Sequence, residues 1–123
     1  MFRNILLVGL GGGIGSMLRY GCTILLGNRN FPYATLTVNI IGSFIIGLII
    51  AISLRNAAFA GQWKLFLTAG ICGGFTTFSA FSAENLQLLQ EGKFTIALGY
   101  SLLSVVAGIA AAWMGFKLVT LNP

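Results

Sequence analysis

The stretch Gly70-Ile71-Cys72-Gly73-Gly74-Phe75-Thr76-Thr77-Phe78-Ser79-Ala80-Phe81-Ser82-Ala83-Glu84 decides how this chain is read. It overlaps a charge-free run, 65–83, whose centre is residue 74. A run of that length crosses the hydrocarbon of a bilayer, which takes about 20 mostly apolar residues. The Gly73-Gly74 pair therefore falls near the midplane, and adjacent glycines weaken a helix. Two threonines follow, and Thr76 or Thr77 has the hydroxyl to cap a second half-helix. A discontinuous helix is tolerated in a membrane where its freed backbone lines a site. The half-helix N-terminus attracts anions, and the freed carbonyls suit a small cation. The competing reading is an unbroken helix that uses its glycines for packing.

Outward from this run, the charges divide the rest of the chain. No charge lies between Arg29 and Arg55 or between Lys93 and Lys117, and Arg19 alone interrupts the stretch from Asn4 to Leu26. Four spans follow, at about 4–26, 32–54, 63–89 and 94–116, in a single four-helix membrane domain over 1–123. The connectors Gly27-Asn28-Arg29-Asn30-Phe31-Pro32, 56–62 and Gln90-Glu91-Gly92-Lys93 carry turn residues. Composition agrees: of 123 residues 57% are apolar and 7% charged, and the mean hydropathy is +0.94. That leaves too few polar residues for the shell of a soluble fold, since ordinary domains are about 25% charged. Without His, and with Glu84 and Glu91 as the only acids, metal-ligand sets and acid–base mechanisms lack raw material. Cys22 and Cys72 lie in apolar runs and read as buried small hydrophobes. The first span resembles a signal peptide in its Arg3 and apolar run, but it lacks a clear cleavage site and Arg19 comes too late, so it reads as a mature helix.

The net charge is +5, but the basic residues are scattered singly and build no stripe for a nucleic acid backbone. Four spans put Arg3, Arg55, Lys64 and Lys117 on one side, and Arg29 and Lys93, with Arg19 nearby, on the other. Orientation follows Lys/Arg asymmetry. An asymmetry this small fits insertion both ways, giving an antiparallel dimer, as well as it fits one orientation.

Small residues four apart let helices approach closely in lipid. Gly9 and Gly13, Gly11 and Gly15, Ser43 and Gly47, Ala107 and Ala111, and Gly108 and Ala112 have that spacing. Phe75, Phe78 and Phe81 recur every three residues and are expected roughly on one helical face, interleaved with Thr and Ser. Such a stripe either packs or offers its positive ring edges to an anion in a narrow path. Asn39 in span 2 offers two N–H groups, either to an ion or to a neighbouring helix. Tyr100, Ser101 and Ser104 add hydroxyls, with Tyr100 and Ser104 on one face. Arg19 and Glu84 are the charges nearest the apolar runs. Intramembrane charges are costly and mark function, although both residues also fit helix ends in water.

The segment Gly73-Gly74-Phe75-Thr76-Thr77-Phe78-Ser79-Ala80-Phe81-Ser82 resembles the third-helix motif of the Fluc/CrcB fluoride channels. The resemblance extends over the whole chain: length, four spans, a Gly-rich first span ending in Leu18-Arg19, Thr35-Leu36-x-Val38-Asn39, Trp63-Lys64, and Glu84 after the motif. It implies an all-α membrane protein with a broken helix 3, assembled as an antiparallel, dual-topology homodimer in the cell (inner) membrane. Two pores would let fluoride leave the cytoplasm passively and exclude chloride. A structural Na+ at the dimer centre would be held by the backbone carbonyls of Gly73 and Thr76. Phe78 and Phe81 match the family's fluoride-contacting phenylalanines and Asn39 its pore asparagine. Tyr100 and Ser104 match its polar track, with Thr35 and Thr77 also assigned to the pathway. Arg19 and Glu84 match recurrent positions, as vestibule or structural charges. The chain departs from the family at Ala80, where Thr is frequent, at Ala34, where Gly is frequent, and at Gly108, where some relatives carry a hydroxyl.

The principal rival is a small dual-topology drug or cation exporter. Such a protein needs a membrane-embedded carboxylate to exchange protons for a cation, and span 1 has none. A structural subunit would explain the glycines but not the Thr/Ser/Phe run. An enzyme is disfavoured because no nucleophile–base set exists.

Overall fold

The computed structural model describes residues 1–27 and 30–122. Asn28 and Arg29 of the first connector lie outside the described residues. The described chain is helical throughout: α1 (Phe2–Leu26), α2 (Tyr33–Arg55), α3 (62–75), α4 (Phe78–Gln90) and α5 (Phe94–Leu121). Four stretches are long and apolar enough to cross a membrane, with α3 and α4 forming one of them, Gln62–Gln90. Helices are what lipid requires, because each pairs its own backbone N–H and C=O groups where no water can. The helix ends lie within two residues of the expected bounds except that α5 runs to Leu121, five residues past 116.

Two close helix pairs make the subunit. In the first, α1 lies on α3: a Cβ on Gly15 would run into the Ile71 carbonyl, and one on Gly74 into the Gly12 carbonyl. In the second, α2 lies on α5: a Cβ on Gly47 would strike the Ala112 carbonyl, and one on Gly115 the Phe44 carbonyl. Backbone-to-backbone approach of this kind is how membrane helices gain dispersion energy without a hydrophobic driving force. Of the expected glycine pairs, Gly11 and Gly15 are in the contact, whereas Gly9 and Gly13 face open space on the subunit. Spacing alone does not distinguish the two pairs; the helix has one side against α3 and one side free.

The helix ends are closed locally. Arg55 at the end of α2 donates to the carbonyls of Thr120 (3.0 Å) and Asn122 (2.5 Å), supplying the missing partners at the C-terminus of α5. Asn56 Oδ1 accepts from the amides of Ala58 and Phe59 and starts the turn into α3. After α4, Gly92 takes a left-handed φ of 74°, which favours glycine. Beside it Lys93 pairs with Glu91 at 2.6 Å. The Lys93 hydrogen bond, helped by one from Gln87, holds the Glu91 carboxyl below its ordinary value.

Within α3, residues Phe66–Cys72 form a π-helix, with backbone bonds one residue longer than in an α-helix. Nothing in the sequence announced it. Its wider turn lies against the Gly11–Gly15 side of α1, with the Phe66 carbonyl and Gly70 nearest to Gly11. Cys72 is buried and Cys22 half-buried, and both are free thiols.

Candidate functional site

The third span is broken, but not at its glycines. Gly73 (φ −62°, ψ −38°) is helical, and the short turn Gly73–Phe75 continues the helix. The backbone becomes extended at Thr76 (φ −79°, ψ 158°) and Thr77 (φ −152°, ψ 118°). The expected weak point at Gly73-Gly74 therefore moves two to three residues along. Gly74 serves the close approach of α3 to α1, where a Cβ would strike the Gly12 carbonyl, whereas Gly73 is exposed and approaches no other helix. The break falls where a partner from another helix is available.

That partner is Asn39. Its Oδ1 accepts from the Thr77 amide at 2.8 Å, and its Nδ2 donates to the Thr77 carbonyl at 3.1 Å. In a continuous helix the Thr77 amide would bond the Gly73 carbonyl. Here that carbonyl is relieved of the bond, and a side chain on α2 satisfies both polar groups of a residue only 7% exposed. On one side of the break, Thr76 returns its amide and its hydroxyl to the Cys72 carbonyl, at 2.9 and 2.8 Å. On the other, the Thr77 hydroxyl accepts from the Ala80 amide at 3.1 Å and caps α4, as one of the two expected threonines should.

The break also separates the phenylalanines. Phe75 is buried ahead of it, while Phe78 and Phe81 belong to α4. The three do not share one face, because the 3.6-residue period does not carry across two extended residues. Phe78 is 79% exposed on the subunit. Phe81 stands between Phe78 (ring centroids 5.6 Å apart) and Tyr100 (5.1 Å). Phe31 meets the Tyr100 ring edge-on at 5.3 Å.

A carboxylate organises the α4–α5 side. Glu84 accepts from the Thr35 hydroxyl at 2.5 Å and from the Tyr100 hydroxyl at 2.7 Å. Tyr100 is 1% exposed. These charge-assisted bonds tie a partly exposed carboxylate, which also faces the polar pocket of Asn30, Gln87, Glu91 and Lys93, to α2 and α5. Next to it, Asn85 donates to the Phe81 carbonyl and accepts from the Ser101 hydroxyl at 3.1 Å. The sequence reading passed over Asn85, although its place four residues after Phe81 puts both on one face. Ser104, one turn beyond Tyr100, has the only buried side-chain oxygen among the described residues without a hydrogen-bond partner.

Beside the break, Ser16, Arg19, Tyr20, Thr23, Thr35, Val38, Thr77 and Ala80 enclose a space of about 250 Å³. Among the described residues no acidic side chain lines it and none pairs with the Arg19 guanidinium. Arg19, Thr35 and Thr77 are thus brought together. Glu84 joins them through Thr35, and Asn39 through Thr77. Phe78, Phe81, Tyr100 and Ser104 lie along α4 and α5, outside this space. Ser16, Thr23 and Thr35 give their hydroxyl protons to Gly74, Arg19 and Glu84, so the arrangement offers a small anion one cation and the hydroxyls of Tyr20 and Thr77, and no activated nucleophile to a substrate.

Residues 6–116 match the family model described as CrcB-like protein, Camphor Resistance (CrcB). The chain belongs to the CrcB-like family. Relatives of this CrcB-like chain bear the name fluoride-specific ion channel FluC. The protein from Leptospira interrogans (strain Fiocruz L1-130) is 47% identical over 95% of this chain and 94% of its own length. That from Thermus thermophilus is 47% identical over 94% of each. That from Azobacteroides pseudotrichonymphae is 43% identical over 96% of this chain and 97% of its own length. This CrcB-like chain is therefore a multi-pass membrane protein of a channel family, not an enzyme, and the exporter reading is not favoured.

Proposed function

We propose that this chain is a fluoride-selective channel that lets fluoride leave the cytoplasm passively, through two pores of an antiparallel homodimer. The observation that carries the reading is the hydroxyl-lined space beside the clamped break, which among the described residues holds the Arg19 guanidinium with no acidic side chain in its lining and none paired to it. The fluoride-channel names of its relatives support it. A small anion attracted there loses water on entering the narrow region between helices. Asn39 keeps one N–H beyond the one given to Thr77, and Ser104 keeps a hydroxyl with no protein partner. These donors, with the Thr77 hydroxyl, would replace the lost water, while Thr35, whose proton goes to Glu84, would line the path and orient that carboxylate. Phe78 and Phe81 would present positive ring edges between them, the exposed Phe78 towards the second subunit. Tyr100 and Glu84 would hold α4 and α5 in register, with Tyr100 continuing the polar track.

A structural Na+ fits the same reading. No group of His, Cys, Asp or Glu among the described residues can hold a metal, so a cation there would rest on backbone oxygens. Gly73 is exposed on the subunit, and its carbonyl is released by the Asn39–Thr77 bond. Carbonyl oxygens suit a hard cation. With Thr76, each subunit would supply two oxygens and the dimer four. The ion would fix the two broken helices to one another.

Fluoride efflux from proteoliposomes tests the function. Rapid fluoride release with little chloride release is expected, and equal release of both ions would refute selectivity. Phe78→Ile and Phe81→Ile should each impair flux while the dimer persists; unimpaired flux assigns the rings to packing. Thiol labelling of a single exposed cysteine should reach the protein from both membrane faces, and one-sided labelling would exclude dual topology. Proton-coupled efflux of an organic cation would instead identify an exporter.

A further inference from the structure

The four helix ends on the side away from Glu84 carry charge of one sign. Arg3 opens α1, Arg55 ends α2, Lys64 lies in the first turn of α3 and Lys117 in the last turns of α5. Both carboxylates, Glu84 and Glu91, belong to the opposite end, where Glu91 pairs with Lys93. Arg55 spends its guanidinium on the α5 carbonyls, and Lys117 lies 4.8 Å from the centre of the Trp113 ring. Arg3 has neither an acid nor a carbonyl as partner among the described residues.

Arg3 also forms the rim of a cavity. Arg3, Leu7, Ala58, Gln62, Trp63 and Phe66 enclose about 690 Å³ between the start of α1 and the start of α3. Its polar groups are a guanidinium, a carboxamide and an indole N–H, all donors near the membrane surface. Its deeper residues, Leu7 and Phe66, lie one turn further into the apolar span. Trp63 is 63% exposed and meets the Phe66 ring edge-on at 6.4 Å. Tryptophan at this depth belongs to the aromatic belt at the lipid headgroups. A ligand fitting this cavity is anionic at one end and hydrocarbon at the other.

We propose that this cavity binds one anionic glycerophospholipid, with its phosphate on Arg3 and Gln62 and an acyl chain along Leu7 and Phe66. The argument is charge complementarity. Among the described residues, Arg3 has no acidic partner and no acidic side chain lies at its end of the bundle, and it stands above an apolar floor at the level of the headgroups. The site does not depend on which ion the protein conducts.

Trp63 reports on its own cavity. With Trp113→Phe, Trp63 is the only tryptophan left in the chain. That variant is reconstituted, full length, into vesicles containing phosphatidylglycerol or phosphatidylcholine with brominated acyl chains, which quench a tryptophan in contact. The anionic lipid is expected to associate about fivefold more strongly, the factor expected of one basic side chain near an anionic surface. Adding Arg3→Gln should bring the preference to near one, with the unquenched Trp63 emission unchanged. Adding Lys64→Gln, outside the cavity, should leave most of the preference in place. Equal quenching by the two lipids, or no quenching by either, would overturn the proposal. So would an equal loss in the Arg3 and Lys64 variants, which would indicate diffuse attraction rather than a site.

Discussion

Replacing Asn39 by leucine removes both hydrogen bonds that hold the break open. Leucine keeps the branching of asparagine but is bulkier, so some overpacking adds to the loss of the two hydrogen bonds. Two groups are affected, the amide and carbonyl of Thr77, a residue 7% exposed. A lower bound comes from membrane proteins, where an interhelical hydrogen bond contributes about 0.6 kcal/mol, or about 1 kcal/mol for the pair. An upper bound comes from leaving both groups buried and unpaired, at about 1–3 kcal/mol each. A value above the lower bound is expected, because Thr77 is buried and has no second partner of equal geometry. One escape exists: the freed Thr77 amide can return to the Gly73 carbonyl and continue α3. Asn39→Leu is therefore expected to lose about 2–5 kcal/mol in reversible unfolding in mixed micelles, and to lose ion flux whether or not the helix heals. Asn39→Asp separates the two bonds. Its carboxylate still accepts from the Thr77 amide but faces the Thr77 carbonyl with no donor, so it should be no more stable than the leucine variant. A loss below about 0.5 kcal/mol with flux retained would refute the view that this side chain maintains the break.

Three further outcomes follow from the contacts. Gly74→Ala drives a methyl into the Gly12 carbonyl and should cost about 1–3 kcal/mol in the same unfolding assay. Gly9→Ala, with open space around its Cβ, should be neutral or slightly stabilising. Tyr100→Phe removes a hydroxyl donated to the Glu84 carboxylate, and about 1.5–3 kcal/mol of stability should go with it, measured by thermal unfolding in detergent. Ser104→Ala removes a hydroxyl that has no protein partner, so the midpoint should hold while fluoride efflux from proteoliposomes falls.

The membrane spans were legible because charge is expensive in lipid: the gaps between Lys, Arg and Glu mark the helices without any knowledge of contacts. The existence of a break was legible from the threonines, whose hydroxyls can cap a second half-helix at the midplane. Its position was not. Glycine propensity points to Gly73-Gly74, yet Gly74 packs on Gly12 within a continuing helix, and the extended residues appear where Asn39 reaches. Asn39 was recognisable as a donor, but its acceptor was not, because Thr77 is 38 residues away in sequence. Glu84 looked like a helix-end charge for the same reason: its two hydroxyl partners are on α2 and α5. The π-helix at Phe66–Cys72 left no trace in the sequence, being a response to the surface of α1 rather than a local preference.

The Asn39 clamp has a mechanical consequence. The subunit consists of two stiff couples, one of α1 with the first half of the interrupted span, the other of α2 with the last helix. The chain crosses between the couples in the connectors before α2 and before α3, and once within a span, at the two extended threonine residues. Shear between the couples, from a change in bilayer thickness, would bear on that short crossing and its carboxamide. The crossing is therefore where a bulk deformation of the membrane would translate into a change in the width of an ion's path.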